Sequence, residues 1–476
     1  MTLYRRYADE VAAAIHGGAL QPGERIASVR AASRRRGLSE MTVLKAYHLL
    51  EAQGLIVARM RSGYFVARPA QERPPQPAAS RPQRRSTAVD KSELIYQVLE
   101  ASKKTRVVPL GSAFPSPQLF PLARLQRSLN RATRACDPWR TVTDLTPGNR
   151  ELRRLIAVRY RLDGIDIDPD DLVITDGAIE ALNLCLQAVT RPGDAVLIES
   201  PTFYVALQAL ERLGLRAIEI PTDPAEGVDL DALAAMLQRQ RPAACWLMPS
   251  FQNPLGARMP DPHKRRLVET LARHRVPLIE DDVYGELYFG NARPRPAKAW
   301  DGAGQVLHCG SFSKCLAPGY RIGWAAPGRY GDAVRRLKLG STLSAALPSQ
   351  LALADYLGGG GYDRHLRRLR LALEGNRDAT IAAVRNFFPD GTRVTRPQGG
   401  YFLWLELPRA VDTLRLHRDA LDKGISIAPG ALFSARDDFS HCLRLNYGHP
   451  DDRRINRALR TLGRLAAAQI DAAAGR

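Results

Sequence analysis

Cysteine is scarce in this sequence: six residues, at positions 136, 185, 245, 309, 315 and 442, are spread over a chain of 476. No two of them form a Cys-x-x-Cys pair, so the spacing excludes the common zinc and dithiol motifs and is typical of free thiols in a reducing compartment. The nine histidines show no metal-ligand spacing either. We therefore predict no metal site.

Long apolar runs are also lacking, since no stretch approaches the roughly 18 consecutive apolar residues of a membrane helix. The opening residues, MTLYRRYADE, lack the apolar core of a signal peptide, and we expect a cytoplasmic protein without a membrane partner. Acidic residues are outnumbered: 69 Lys and Arg against 49 Asp and Glu give a net charge of +20. This charge favours a polyanionic partner, but arginines are spread along the whole chain, so charge alone does not identify one.

Composition changes sharply once, over residues 69–91, PAQERPPQPAASRPQRRSTAVDK. Five prolines and no aromatic residue predict a linker, which separates a head (residues 1–68) from a body (residues 92–476). In the body, strand-like apolar runs alternate with helical stretches, which predicts a parallel sheet covered by helices over about 120–355. The pattern of the last part, about 356–476, predicts a smaller α+β lobe.

The head has the pattern of a winged helix-turn-helix. Apolar periodicity predicts three helices, with Ser28 and Ser39 as N-caps and Gly37 ending the second helix, followed by two strands around Arg61-Ser62-Gly63. The head contains eleven basic and five acidic residues, and this positive charge suits DNA binding with the third helix in the major groove and the wing at the phosphates. On spacing alone, a small helical interaction domain with a basic face is the alternative.

The segment LQPGERIASVRAASRRRGLSEMTVLKAYHLLEAQGLIVARMRSGYFVA resembles the winged-helix domain of GntR-type regulators. The resemblance implies that the head contacts DNA through Arg30, Ser39, Glu40, Thr42, Lys45, Arg61 and Gly63. Glu40 stands where many relatives carry arginine. A glutamate there either accepts a hydrogen bond from cytosine N4 or simply favours the helix N-terminus.

In the body, GSFSKCLAPGYRIGW places Lys314 among apolar neighbours. Desolvation lowers the pKa of an amine, and a neutral amine attacks an aldehyde to form a Schiff base. Taken alone, the lysine is better explained as a surface residue of a serine-rich loop. Its role therefore depends on whether other parts of the sequence supply the remaining groups of an aldehyde cofactor's site.

Such groups follow several predicted strands, at the edge where open α/β sheets bind ligands. A phosphate needs helix N-terminal amides, hydroxyls and a cation, a pyridine nitrogen needs a carboxylate, and a ring needs neutral donors and a flat partner. The candidates are Gly177 and Ala178, Ser311, Ser313 and Arg321 for phosphate, Asp281 for the nitrogen, Asn253 and Tyr284 for the ring oxygen, and Phe203 or Tyr204 for stacking.

These motifs, in this order over roughly 110–470, resemble the fold-type I aminotransferases that depend on pyridoxal 5'-phosphate. The resemblance implies that Lys314 forms the Schiff base, that the residues above hold the cofactor with Phe203 stacking, and that Arg444 of LRLNYG binds a substrate carboxylate. A structural strand arginine is the alternative for Arg444. Ala178 replaces the usual Ser or Thr, and TDLTPGNRELR lacks the tyrosine often found in the dimer-contact segment. A phosphate contact from the partner subunit is then missing or supplied elsewhere.

The order of head, linker and body resembles the MocR subfamily of GntR-type regulators. It implies a multidomain fold: a winged helix-turn-helix, mostly α with a β wing, then the α/β fold of fold-type I transferases with its smaller lobe. We expect a homodimeric regulator that binds a double-stranded DNA operator and senses an amino compound, or pyridoxal phosphate itself, through the Schiff base at Lys314. A catalytically active aminotransferase with an appended DNA-binding domain is the alternative. A dimerisation platform that no longer binds cofactor is a third, weaker one.

Overall fold

The computed structural model describes residues 3–474 except 22, 54, 60–62, 67–73, 84, 103–106, 437 and 451. The chain divides into two compact units, Met1–Pro74 and Pro75–Arg476. The division falls inside the proline-rich stretch of the sequence. The first unit contains the head and the second contains the body. No helix among the described residues is long and apolar enough to cross a membrane.

The described part of the head has the predicted winged helix-turn-helix fold. Its elements are α1 (Leu3–His16), α2 (Val29–Arg36), α3 (Glu40–Ala52), β1 (Ile56–Arg59) and β2 (Gly63–Val66), the two strands being antiparallel. Ser28 and Ser39 cap α2 and α3, because their hydroxyls accept from the backbone N–H of Ala31 at 3.2 Å and of Thr42 at 3.1 Å. Gly37 ends α2 in the left-handed conformation, φ 61°.

The head has a hydrophobic core of its own. Val43, Ala46, Tyr47 and Leu50 of α3 are buried, with the i, i+3, i+4, i+7 spacing of one helix face. Leu44, which the periodicity also placed inward, is only half-buried because it lies at the edge of that face. The rest of α3 is left to form a surface.

The body is built on a large sheet, a small sheet and flanking helices. The strands are β3 (Thr87–Ala88), β4 (Val108–Pro109), β5 (Val173–Thr175), β6 (Ala195–Ser200), β7 (Arg216–Asp223), β8 (Gly227–Val228), β9 (Ala244–Leu247), β10 (Leu278–Asp281), β11 (Val306–Ser311), β12 (Gly323–Ala326), β13 (Arg393–Val394), β14 (Phe402–Glu406), β15 (Ile425–Ser426), β16 (Ala428–Pro429) and β17 (Cys442–Asn446). The helices are α4 (Ser92–Ala101), α5 (Leu122–Arg134), α6 (Arg140–Thr143), α7 (Arg150–Leu162), α8 (Ala178–Val189), α9 (Tyr204–Arg212), α10 (Leu230–Arg239), α11 (Asp261–Arg273), α12 (Gly331–Ser341), α13 (Leu347–Gly358), α14 (Gly361–Phe387), α15 (Thr413–Leu421) and α16 (Arg453–Ala474).

The large sheet has the strand order β3-β7-β6-β9-β10-β11-β12-β5. Strands β7, β6, β9, β10 and β11 are parallel, as predicted from their alternation with helices. Strand β12 is antiparallel to both neighbours, which the sequence pattern did not predict. Only residues 312–322 separate β11 from β12, and this is too short for the helical crossover that parallel strands need.

Both faces of the large sheet are covered. Successive residues of β6 point to opposite sides: Val196 and Ile198 belong to one hydrophobic core, and Leu197 to another. The same alternation runs along β9, where Trp246 joins the first core and Cys245 the second. The sheet is therefore buried between two helical layers, and only its strand ends are available to ligands.

The smaller lobe contains an antiparallel sheet of order β13-β14-β17-β16, with α14, α15 and α16 beside it. The segment that enters the body from the linker is attached along its length. Ser80 and Thr222 exchange hydrogen bonds at 2.9 and 3.1 Å, β3 pairs with β7, and β4 pairs with β15 of the small lobe. The described residues from Pro75 onward therefore run along the body before its main fold begins.

Candidate functional site

Lys314 lies on the loop between β11 and β12, just beyond the strand end at Ser311. Its Nζ donates a hydrogen bond to the carbonyl oxygen of Ala113 at 3.0 Å and lies 3.9 Å from the centre of the Phe114 ring. Phe312, two residues earlier, is buried and anchors the loop in the core. The amine is thus held at the carboxyl end of the parallel strands.

The surroundings of Lys314 favour its neutral form. Its pKa is lowered to about 7, chiefly because burial disfavours the ammonium ion; the positive charge of Arg444 adds to the effect and Asp281 opposes it. The direction is the one expected from the apolar neighbours in the sequence. At pH 8 most of the amine is therefore a nucleophile.

Asp281 ends β10 and is 1% exposed. Among the described residues, its Oδ1 has no hydrogen-bond partner. Burial raises the pKa of this carboxyl to about 7, while the Val283 backbone N–H lowers it and the charge of Asp282 raises it. A buried carboxylate oxygen without a donor fits a ligand that brings a protonated ring nitrogen.

Asn253 and Tyr284 lie side by side and are buried. Asn253 Nδ2 donates to the Tyr284 hydroxyl at 3.4 Å, and its Oδ1 accepts from Arg444 Nη1 at 2.9 Å, which orients the amide. Burial raises the pKa of the Tyr284 hydroxyl, so it remains a neutral donor. Such a pair suits a ring oxygen that carries negative charge.

The N-terminus of α8 has the geometry of an anion site. Gly177, which precedes the helix, has φ +84°, and a Cβ there would lie 2.5 Å from Arg321 Nη2. A Cβ on Gly323 would lie 2.5 Å from the carbonyl carbon of Gly177. Glycine is needed at both positions for the guanidinium and β12 to approach the first turn of α8, which begins at Ala178.

The lysine loop contributes hydroxyl groups to the same place. Ser311 Oγ accepts from the backbone N–H of Ser313 at 3.0 Å, and Ser313 Oγ accepts from Arg321 Nη1 at 3.4 Å. Arg321 Nη2 also donates to the carbonyl of Asp176 at 3.1 Å. Helix amides, two hydroxyls and a guanidinium therefore converge, and this donor set fits a phosphate.

Sequence reasoning missed a buried lysine beneath this cradle. Lys338 Nζ donates to Asp176 Oδ2 at 3.1 Å, Glu180 Oε2 at 2.7 Å and Thr342 Oγ1 at 2.7 Å. Because Asp176 and Glu180 flank the start of α8, the lysine fixes the turn that carries Gly177. Nothing in the local sequence around Lys338 signals these ion pairs, since the two acidic partners lie 162 and 158 residues earlier.

The two aromatic candidates for ring stacking have different surroundings. The Tyr204 ring is buried, and its centre lies 5.9 Å from Cζ of Arg444. The Phe203 ring, 4.8 Å away from that of Tyr204, is only half-buried. Tyr204 therefore belongs to the surroundings of the arginine, and Phe203 is the more accessible of the two rings.

Arg444, on β17, is fully buried between aromatic rings, with Cζ 4.1 Å from the centre of Phe402 and 5.2 Å from that of Phe433. Its Nη2 donates to the carbonyls of Gly111 at 2.8 Å and Ser112 at 3.3 Å, whereas Nε has no partner among the described residues. Burial lowers the pKa of this guanidinium. A buried arginine with a spare donor has the capacity to bind a carboxylate.

Residues 111–114, here called the carbonyl loop, were also missed by sequence reasoning. Ala113 accepts hydrogen bonds from both Lys314 and Tyr401, each at 3.0 Å. Backbone carbonyls carry no side-chain signature, and the only local signal is that the segment begins with a glycine and is followed by a proline in GSAFP. The loop completes the site with acceptors from the start of the body.

Asp282 and the cysteines near the lysine have structural surroundings. Asp282 Oδ2 accepts from Arg293 Nη2 at 2.7 Å and lies 3.2 Å from His308 Nε2, and the charge of Arg293 helps to lower its pKa despite burial. Cys309 Sγ lies 3.6 Å from Cys185 Sγ inside the core. Asp282 Oδ2 and Cys309 Sγ are thus engaged by these neighbours, whereas Asp282 Oδ1 has no hydrogen-bond partner among the described residues.

On the head, the predicted DNA-contacting residues gather at the start of α3 and on α2. Arg30 Nε lies 3.8 Å from Glu40 Oε1, and both side chains are exposed. Ser39 and Thr42 share a hydrogen bond of 2.8 Å between their hydroxyls, and Lys45 is exposed one turn further. Gly63 opens β2 with φ +97°. Arg61 lies outside the described residues.

Comparison with known proteins divides the chain in the same way. Residues 115–462 match the model of the family "Aminotransferase class I and II", and residues 3–66 match "Bacterial regulatory proteins, gntR family". The HTH-type transcriptional regulator YdcR of Escherichia coli is 49% identical over 98% of this chain and 99% of its own length. YjiR of the same organism, also an HTH-type transcriptional regulator, is 39% identical over 97% and 98%.

Among solved structures, LysN of Thermus thermophilus, an alpha-aminoadipate aminotransferase, resembles the body. It covers 79% of this chain and 95% of its own, with 31% identity and a TM-score of 0.71. Its structure is a complex with N-(5'-phosphopyridoxyl)-L-leucine. The fold and the cofactor class predicted from the sequence are therefore confirmed.

Proposed function

Because this chain belongs to the aminotransferase class I and II family and to the MocR subfamily of GntR-type regulators, we propose that it is a pyridoxal-phosphate-dependent transcriptional regulator. The body senses an amino compound, or the cofactor itself, at Lys314, and the head binds an operator in the cytoplasm. One observation carries the proposal: a gntR-family head and a set of donors that fits pyridoxal phosphate occur in one chain. A metabolic enzyme has no need of the head.

The roles of the body residues follow from their surroundings. Pyridoxal phosphate, when bound, supplies an electrophilic aldehyde and a ring that accepts electrons. Lys314 supplies the amine for the aldehyde, and Asp281 accepts a hydrogen bond from the ring nitrogen. Asn253 and Tyr284 donate to the ring oxygen, while Phe203 stacks on the ring. The phosphate is held by Gly177, Ala178, Ser311, Ser313 and Arg321, and the carboxylate of the effector is held by Arg444.

The direct test uses the whole chain and an operator selected from random duplexes. The expected result is that the protein with pyridoxal phosphate enriches one sequence, and that its affinity for this duplex changes when amino compounds are added. A ligand changes DNA binding only if it binds the two conformers unequally. Failure to enrich any duplex above non-specific binding would count against the regulator.

Arg30→Ala should weaken DNA binding by about threefold to tenfold across sequences and reduce the slope of log affinity against log salt by about one. The reason is that Arg30 is exposed beside the cap of α3 and is proposed to neutralise one phosphate. Fluorescence anisotropy at several salt concentrations measures both quantities.

Arg6→Ala is the matched control, because Arg6 is also exposed and lies 4.0 Å from a glutamate, Glu10, on α1. Neither substitution should change stability by more than about 1 kcal/mol, since exposed ion pairs contribute little. An unchanged salt slope in Arg30→Ala would mean that Arg30 does not contact a phosphate. Equal losses in both variants would point to general charge rather than a contact.

The regulator is proposed to act as a homodimer, which places two heads on paired half-sites. An exposed apolar patch supports this: Trp139, Val142, Leu145, Leu339 and Leu343 are 37–74% exposed. Thr146 Oγ1 donates to the Leu343 carbonyl at 2.5 Å, which joins the two segments of the patch. Large exposed apolar side chains on two joined segments are typical of an interface.

A double variant, Trp139→Asp with Leu343→Asp, should dissociate the dimer, because two buried carboxylates would lie unpaired in the interface. Sedimentation velocity at micromolar protein measures the mass. Leu371→Asp, on the exposed side of α14 at 71% exposure, is the control and should stay dimeric. If the double variant stays dimeric, the dimer interface lies on another surface.

An active aminotransferase is the second candidate, and one observation favours it: residues 115–462 match the family "Aminotransferase class I and II" and contain Lys314, whose pKa is lowered by burial towards neutrality. Repeated turnover of an amino acid with 2-oxoglutarate would establish the enzyme. Loss of the cofactor's absorbance band with amino acid, without turnover, would favour the regulator. A body that binds no cofactor would leave only the third reading, a dimerisation platform.

A further inference from the structure

Two of the groups that hydrogen-bond to the carbonyl loop, residues 111–114, are groups that a ligand needs: the Lys314 amine and the Arg444 guanidinium. We propose that this loop is the element that reports occupancy of the site, because cofactor and effector compete with its carbonyls for the donors Lys314 and Arg444. The inference rests on the proposed function and names the part of the body whose movement carries the signal.

All four carbonyls of the loop accept hydrogen bonds from the site. Gly111 accepts from Arg444 at 2.8 Å, and Ser112 accepts from Arg444 at 3.3 Å and from Asn446 Nδ2 at 2.9 Å. Ala113 accepts from Lys314 and Tyr401, and Phe114 accepts from Asn446 Nδ2 at 2.7 Å. The loop thus satisfies donors that lie 201 to 334 residues away in sequence.

Ligands compete for two of these donors. An amine that condenses with an aldehyde gives up two hydrogens as water while one C=N bond forms, so Lys314 then loses the hydrogens that it donates to Ala113. A carboxylate is a stronger acceptor for Arg444 than the neutral carbonyls of Gly111 and Ser112. Occupancy of either group therefore removes hydrogen bonds from the loop.

The loop is coupled to what precedes it in the chain. A Cβ on Gly111 would lie 2.6 Å from the carbonyl carbon of Ile427, so the backbone there is in close contact with the small lobe. The Leu110 carbonyl accepts from the backbone N–H of Asn446 at 2.7 Å, and Val108 pairs with Ile425. A displaced loop strains this short pairing, and the chain before it continues through α4 and β3 towards the head.

Asn446 is the residue through which the coupling is tested. It holds two loop carbonyls through Nδ2, yet it has no proposed contact with cofactor or effector. Leucine at this position has a similar branched shape but no donor, so it removes both hydrogen bonds, together with the one that Asn446 Oδ1 accepts from the Gly448 backbone N–H at 2.6 Å. Asn446 is therefore a positioning residue, and its substitution separates the state of the loop from the occupancy of the site.

Hydrogen–deuterium exchange of the full chain provides the readout, with peptides that cover residues 107–120. The probes are pyridoxal phosphate alone and N-(5'-phosphopyridoxyl)-L-leucine, which carries phosphate, ring and carboxylate in one molecule. The expected result is that amide exchange in the loop becomes about tenfold faster with the second probe than without ligand. Unchanged exchange, with binding confirmed by absorbance, would overturn the inference while leaving the proposed function intact.

Asn446→Leu should accelerate exchange in the same peptides by about tenfold without any ligand, and should shift affinity for the selected duplex in the direction that the ligand shifts it. Asn386→Leu, at an exposed position of α14, is the control and should change neither. Tyr401→Phe, which removes one donor to Ala113 at constant shape, serves if the first variant does not fold. Faster exchange with unaltered DNA affinity, in either variant, would show that the loop does not report to the head.

Discussion

Lys314→Ala protein incubated with pyridoxal phosphate and desalted should be colourless, whereas the wild-type protein keeps a visible absorbance band. The variant removes the amine that bonds to the aldehyde, so only the non-covalent phosphate and ring contacts remain to hold the cofactor during desalting. Ultraviolet–visible spectroscopy after gel filtration measures the retained cofactor, and the expected loss is complete. Lys423→Ala, at an exposed lysine of the small lobe, is the control and should retain the band.

The pH dependence of cofactor uptake follows from the same amine. With a pKa of about 7, Lys314 is mostly an ammonium ion at pH 6 and mostly a free amine at pH 8. The rate of uptake should therefore rise with pH and level off above about 7.5, roughly three units below the range of an ordinary lysine. A colourless wild-type protein, or a rate that still rises at pH 10, would contradict the assigned role.

The strand-end residues of the site could be predicted from the sequence. Asp281, Asn253 and Gly177 each follow a short apolar run. Parallel strands bring their carboxyl ends to one edge of the sheet, whatever the conformation of the connecting loops. The structure places these residues near Lys314 for that reason. The helices of the head could be predicted for a different reason: Ser28, Ser39 and Gly37 are local signals that act within one turn of helix.

What could not be predicted depends on pairs far apart in the chain. The carbonyl loop meets Lys314 through a backbone oxygen 201 residues away, and Lys338 meets Glu180 at a separation of 158. Neither contact produces a recognisable sequence pattern, because one depends on a backbone carbonyl and the other on a single buried amine. The direction of β12 was missed for a related reason: alternation with helices predicts parallel strands, and the eleven-residue lysine loop takes the place of a helix.

The free-energy cost of burying the Asp281 carboxyl predicts the second large effect, a pH-dependent change in stability. Its carboxyl is buried without a donor on Oδ1, and its pKa is raised from the usual 3.8 to about 7. Between about pH 4 and 7 the folded state thus binds a proton that the unfolded state has released, so stability falls as pH rises through this window. Above pH 7 the loss is complete, at up to about 4 kcal/mol.

Asp281→Asn should therefore have opposite effects on stability and on cofactor binding. Without cofactor, the variant should gain stability relative to wild type at pH 8 but not at pH 4.5, because an amide needs no proton to be buried. Cofactor affinity should fall by about 100-fold, since a buried charged partner for the ring nitrogen is lost. Thermal unfolding at the two pH values and absorbance titration at pH 7.5 measure the two quantities. Lower stability of Asp281→Asn at pH 8 would mean that the carboxylate serves the fold, and unchanged affinity would mean that the ring nitrogen has another partner.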